Sequence, residues 1–207
     1  MPIVNTKNIM VGAGHLYVSA ADTTAALPAA PADLVGPPVV KQSYKVALDA
    51  ATAWRYVGAT SGGVEIGMTQ DVGEVEVDQL KDAALIFNTG QSAMVSTELA
   101  EPTLANLLLT WGMSSKTLVN AGDTLNLAQL EDDLVERSVA VVGNAPRGAA
   151  TTKRERVYYG RRVINVEAGG HTLSRTENTT LPLTFRLLPD PATVGAEYGT
   201  ILDRSIG

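Results

Sequence analysis

The stretch from Trp54 to Gln79 alternates apolar and polar side chains, and a period of two belongs to strands, not helices. Trp54 and Tyr56 open it, the turn-forming residues Gly58 to Gly63 follow, and Val64, Ile66 and Met68 then share one face of a predicted strand. After Thr69 to Asp71 the alternation resumes, so that Glu74, Glu76 and Asp78 project from one face and Val75 and Val77 from the other. One face needs a core and the other needs water.

The rest of the chain fits the same class. Its 207 residues suffice for one domain with a full hydrophobic core, and 19 glycines with 5% aromatics suit strands and loops better than a helical bundle. Sixteen basic against 22 acidic residues leave a formal charge of −6, a poor balance for gripping nucleic acid. There is no cysteine, which excludes disulfides and thiolate metal sites. The first residues, MPIVNTKNIMVG, lack a basic segment followed by an apolar run, and no apolar run approaches the ~18 residues that span a bilayer. The expectation is a chain made and folded in a cytoplasm, with no membrane partner.

Taken in order, Val11 to Ala20 reads as a first strand with His15, Tyr17 and Ser19 on one face and Leu16 and Val18 on the other. From Ala21 to about Pro38 the composition turns to alanine, proline and small polar residues, which cannot build a core of their own. This is a surface loop, or an arm that orders against a neighbour, within a loop region spanning about residues 20–50. Asp82 to Leu99 keeps a two-residue period on either side of Asn88 to Gln91, as a hairpin or as one long strand with a bulge at Gly90. Pro102 suits the first turn of a helix that carries Leu104, Leu107, Leu108 and Trp111 at helical spacing and stops at Gly112. Between Gly112 and Arg137 two readings stay open: a short helix through Leu127, Leu130 and Leu134, or a strand at Thr124 to Leu127. Strands return at Ser138 to Val142, Lys153 to Val166, Thr176 to Leu188 and Gly199 to Leu202, with Leu181, Leu183, Phe185 and Leu187 on one face and Pro182 marking an edge or bulge. The fold class is mainly β, a single-domain β-sandwich or barrel over residues 1–207 with one flanking α-helix and a long loop or arm.

Several of these patterns occur together in a recognisable order. The aromatic-glycine turn running into GGVEI, the acidic strand ending VEVDQ, the long strand from Ala83 to Leu99, the helix after Glu101 and the ending LPLTFRLLPDP resemble the tail tube (major tail) proteins of long-tailed bacteriophages. The likeness covers most of the chain, with Gly112 to Arg137 the least typical part. It implies a structural virion protein, assembled in the host cytoplasm as hexameric rings that stack into a hollow tube through which DNA passes without specific binding. Its implied partners are copies of itself, the tape-measure protein, and the tail-tip and tail terminator proteins. The resemblance also implies that the early arm, here including Asp33 and Leu34, joins subunits. It further implies that an acidic lining faces the channel, where like charge repels the phosphates.

Glu74, Glu76 and Asp78 are therefore the candidate lumen or inter-ring face, although alternating carboxylates also serve simply as the solvated side of a strand. Lys153, Arg154, Arg156, Arg161 and Arg162 form the opposite patch, which suits contact with acidic residues such as Glu131, Asp132 and Asp133 in the chain or on a neighbouring subunit. Catalysis has little to stand on. The two histidines, His15 and His171, lie outside any HExxH or EF-hand spacing, Gly12-Ala13-Gly14 lacks the third glycine and helix of a dinucleotide loop, and neither a Walker sequence nor GxSxG is present. No enzyme, cofactor or metal is expected. The alternatives are the tube of a tail-like bacterial machine, such as a type VI secretion system or a phage-tail-like bacteriocin, and a β-rich binding or decoration module.

Overall fold

Two strands that follow one another in the chain, Trp54–Tyr56 and Thr60–Val75, stand at opposite ends of the main sheet, and this sets the architecture. The computed structural model describes residues 12–20, 22–34, 41–75, 85–119, 123–127, 134–146, 153–176 and 178–206. In these, the order is β1 (His15–Ser19), α1 (Tyr44–Ala50), β2 (Trp54–Tyr56), β3 (Thr60–Val75), β4 (Leu85–Leu99), α2 (Leu104–Thr110), β5 (Leu118–Val119), β6 (Thr124–Leu125), β7 (Arg137–Asn144), β8 (Lys153–Asn165), β9 (Leu181–Leu188) and β10 (Gly199–Ile206). The main sheet is antiparallel, ordered β2-β1-β7-β8-β9-β4-β3, with β10 also paired to β8. Only residues 57–59 separate its two end strands, so the sheet must curl back on itself. A Cβ added at Gly14, just before β1, would lie 3.7 Å from Val64 of β3.

Curling gives the sheet an inside and an outside. Inside, Leu16 and Val18 of β1, Val139 and Val141 of β7, Val163 of β8, Leu181, Leu183 and Phe185 of β9, and Val95 and Leu99 of β4 form one core, closed by Leu108, Leu109 and Met113 from and after α2. Each such side chain contributes roughly 1.5–3 kcal/mol when fully buried. Outside, Tyr17, Ala140, Val142, Val157 and Tyr159 pack with Trp54 beneath Tyr44 and Leu48 of α1. The central strands are thus covered on both faces, the arrangement for which a short unbroken apolar run such as SVAVV is suited.

The mainly β class with a flanking helix is what the structure has, and it adds a second helix. α2 follows the sequence closely: Thr103 caps it, its hydroxyl accepting from the Asn106 N–H at 3.3 Å, and Gly112 ends it in the left-handed region at φ 64°. Pro102 lies one residue before that cap instead of in the first turn. α1 was not anticipated, because seven residues with Tyr44 and Leu48 one turn apart carry too little periodicity. β3 runs unbroken through Thr69 to Asp71, and Gly62 and Gly63 form a bulge inside it at φ 76° and 90°, not a turn before it. β4 is the single long strand with a bulge, since Asp71 pairs Gly90 and Val72 pairs Asn88. The 124–127 region forms the two-residue β6, while most of the alternative helix lies outside the described residues. β9 begins at Leu181, and Pro182 sits where it pairs only β4, as a residue without an N–H requires.

The alanine- and proline-rich segment is strapped to its own body over 22–28. The Ala25 N–H donates to Ser138 Oγ at 2.9 Å, and the Tyr159 hydroxyl and Trp54 Nε1 donate to the Ala25 and Ala26 carbonyls. The Tyr44 hydroxyl donates to the Pro28 carbonyl. At its start Asp22 pairs with Arg137 and accepts from the Ser114 hydroxyl, the Ser115 hydroxyl and the Ser115 N–H at 2.6–2.8 Å. Burial alone would raise the Asp22 pKa, but these donors and Arg137 outweigh it and hold the carboxyl below its ordinary value. A lowered carboxyl stabilises the fold fully above its unfolded pKa and loses that contribution as pH falls through the folded one. Asp22→Asn is therefore expected to cost about 2 kcal/mol near neutral pH, and the gap to the native chain should close as pH drops below the ordinary aspartate range. Urea midpoints measured from pH 6 to pH 2 test this, and parallel curves would refute it.

Candidate assembly surface

β9 pairs β4 only from Ala93 to Leu99, and β4 continues alone with β3 down to Leu85. Residues 69–75 and 85–92 therefore form a two-stranded ribbon, reaching roughly 24 Å beyond the last three-stranded row at about 3.4 Å per residue. Such a hairpin is marginal by itself. Its last described rows are also apolar: Val72, Leu85 and Ile86 are 58%, 58% and 61% exposed, and Val75 and Phe87 are exposed beside them.

The pairing register decides which side chains share a face. Ile66 pairs Val95 and Met68 pairs Ala93, and Val95 and Ala93 are buried, so the even-numbered residues of β3 from Ile66 to Glu74 lie on the side that faces the core at the root of the ribbon. Glu65, Thr69 and Asp71 lie on the other side, with Ser92, Met94, Ser96 and Glu98 of β4 and Pro182, Thr184 and Arg186 of β9. That outer face is small, hydroxylated and acidic. Glu65, Asp71 and Glu98 are exposed on it, and Arg186 is its one exposed cation among the described residues.

Of the acidic residues singled out from sequence, Glu74 is exposed, yet it shares its face with Met68 and Val72 and not with Glu65 and Asp71. Glu76 and Asp78 lie outside the described residues. The acidic face of the folded sheet is thus a different set. In sequence Glu65 stands nine positions before Glu74, and the odd-even difference that separates their faces was the available signal.

The basic strand also divides by parity. Arg154 and Arg156 flank Glu155, which is buried and turned the other way, where it accepts from the Ser43 hydroxyl and the Tyr44 N–H at 2.7 Å and lies 3.6 Å from Arg204. Glu155 thereby fixes the start of α1. Arg156 makes a two-pronged pair with Asp203 at 2.6 and 2.7 Å, and Arg162 another with Glu136 at 2.9 and 2.6 Å. Arg161 lies over the Tyr159 ring and donates to the Ala196 carbonyl. The expected acidic partners Glu131, Asp132 and Asp133 lie outside the described residues. Arg154 has no ion pair among the described residues. Asp33 and Leu34 are exposed beyond residues 22–28, next to Ala32, whose carbonyl accepts from the Gln42 side chain at 3.2 Å.

The histidines sit in packing contacts. His15 has Nδ1 3.3 Å from the Tyr56 hydroxyl and Nε2 3.1 Å from Lys45 Nζ, and burial, then Lys45, push its pKa down. His171 stacks on Trp111 at 6.0 Å between ring centroids. No protein-family model matches the sequence, and no curated protein matches it either.

The two faces of β8 predict opposite responses to substitution. Glu155→Ala strands Arg204 and two buried donors and is expected to cost about 3 kcal/mol, whereas Arg156→Ala removes a half-exposed pair and costs about 1 kcal/mol or less. Arg154→Ala should stay within about 0.5 kcal/mol of the native chain. Denaturant midpoints of the three variants check the order, and an Arg154 variant as destabilised as the Glu155 variant would contradict it.

Proposed function

We propose that this chain is a tail tube subunit, assembling in hexameric rings that stack into a hollow tube for the passage of DNA. The observation that carries the reading is the combination of a polar, acidic outer face on β9-β4-β3 with apolar rows in the far part of the β3–β4 ribbon that the described residues leave uncovered. A tube wall needs both. The bore must slide past a polyanion without holding it, and away from the ribbon's apolar rows the outer face of β9-β4-β3 offers hydroxyls, glycine and the carboxylates Glu65, Asp71 and Glu98, with Phe87, the one aromatic ring on that side among the described residues, set apart in those rows. The wall must also bury each copy's exposed surfaces against the next, and the ribbon end and the open edge of β3 call for such burial.

The proposed bore carboxylates are accordingly Glu65, Asp71 and Glu98, with Glu74 assigned to a contact between copies. The tape-measure protein would occupy the same bore during assembly, and the tail-tip and terminator proteins would meet the two ends. An acidic bore favours a virion tail over a tail-like bacterial machine, whose cargo has no such uniform charge.

Electron microscopy of the purified protein over a concentration series tests the assembly. Rings or hollow tubes of uniform diameter are the expected result, and a closed dimer or trimer would replace the reading with a β-rich binding module. In assembled tails, Glu65→Lys, Asp71→Lys and Glu98→Lys together should leave the tube intact and slow DNA ejection. Ejection at the native rate would remove the electrostatic role of this face.

A further inference from the structure

The interior of the curled sheet is open at one end. There Ile66 and Met68 of β3 stand across from Tyr158 of β8 and Ile201 of β10, with Val141 and Leu187 between them, around a cleft of about 400 Å³. Ile66, Met68 and Ile201 stay 40%, 60% and 65% exposed, so the described residues leave the cleft unfilled. The pairing of β8 explains it. On one side β8 holds β9 over Arg162 to Asn165 and then β10 from Gly160 to Lys153, so the ribbon carried by β9 and β4 and the strand β10 diverge from that point.

The ribbon end has the complementary property. Val75, Leu85 and Phe87 lie on one face, with Phe87 over Gly73, and Val72 and Ile86 lie on the other. An element with apolar side chains on both faces fits between two apolar walls. It does not fit into its own cleft, because its root residues Ile66 and Met68 are one of those walls and the ladder runs unbroken from Val64 to Val75 with only the bulge opposite Asp71.

We propose that the ribbon end of one copy seats in the cleft of a second copy. Charge supports this occupant. Glu74 stands opposite Ile86 within the ribbon's apolar rows and makes no ion pair among the described residues, and Arg154, on the same face of β8 as Tyr158, makes none either, since the acid it acts on, Asp203, is held by Arg156. The seated ribbon brings Glu74 toward Arg154, a base that shares its acid with Arg156 and has no ion pair of its own among the described residues. Ribbon and cleft are different surfaces, so every copy gives one and receives one, and the contact propagates head to tail until a ring closes or a filament grows. The inference deepens the tube reading and rests on it for the form of the closed assembly.

The absence of cysteine from the chain makes a direct test possible. Full-length Phe87→Cys and Ile201→Cys variants, each at an exposed position, are mixed under oxidising conditions. A disulfide-linked dimer containing one of each is expected, with loss of the product when either variant is oxidised alone. No mixed dimer, or an equally abundant Phe87→Cys homodimer, overturns the proposal. Ile201→Asp should keep the native melting temperature and lose assembly, and assembly at the native concentration would overturn it too. Rings or tubes without the mixed cross-link would defeat this inference and leave the tube reading standing. The mixed cross-link without rings or tubes would do the reverse. A strictly monomeric protein that takes up an apolar dye in the cleft would assign the cleft to a small ligand and sink the proposal.

Discussion

Everything in this molecule follows from the way β8 shares one edge between two strands. Along its other edge it pairs β7 nearly throughout, but on this one β10 occupies Lys153 to Gly160 and β9 occupies Arg162 to Asn165. The change-over falls at Gly160, where a Cβ would lie 2.8 Å from Val139 and 3.3 Å from Leu187 and Val163, so the sheet is closely packed where its two branches part. One branch, β9-β4-β3, swings round until β3 comes back beside β1, and the core of Phe185, Leu183 and Val95 is the space it encloses. The other branch, β10, continues the β7–β8 sheet along the same edge of β8. The core and the open cleft are two ends of one divergence.

Sequence alternation reported the strands well because alternation is the direct trace of a sheet with two unlike faces. It reported the faces less well, because alternation says which residues share a side and not which side meets the core. The bulge on β4 shifts that strand's parity alone, Gly90 and Asn88 pairing the successive residues Asp71 and Val72, and the place of Glu74 is set by the side that the even positions of β3 take. Where a strand is covered on both faces, alternation disappears altogether: Glu155 in KRERV looks like one more solvated charge, and only α1 packed above it makes it a buried acceptor. α1 itself is stabilised by Tyr44 and Leu48 against the sheet, a tertiary effect that seven residues cannot announce. The strap had the same difficulty. Its alanines and prolines correctly signal no core of its own, but its carbonyls are acceptors for Tyr159 and Trp54, which stand far along the chain.

Charge behaves in the fold quite differently from its sum. Asp22, Glu136, Asp203 and Glu155 are committed to Arg137, Arg162, Arg156 and Arg204, so the acids and bases that look most available in the sequence are largely consumed within the chain. What remains on the outer face of β9-β4-β3 is a thin layer of carboxylates among hydroxyls, held on a rigid ladder. In the proposed tube, charges held at fixed spacing on this ladder would repel a passing polyanion with no further side-chain ordering.

The ribbon carries the same economy into assembly. A free strand edge is an invitation to pair with any other edge, and β3 presents one over its whole length. The bulge at Gly62 and Gly63 and the one opposite Asp71 add local twist at both ends of the stretch from Val64 to Asp71, so a straight ladder can form on that edge over this stretch alone. Beyond it the ribbon has only its faces to offer. Backbone pairing of this edge would be sequence-tolerant, whereas Phe87, Leu85, Val72 and Ile86 demand a cavity of matching shape. In the proposed assembly, placing the twist before the apolar rows would make side-chain fit, and not strand addition, the step that chooses the partner.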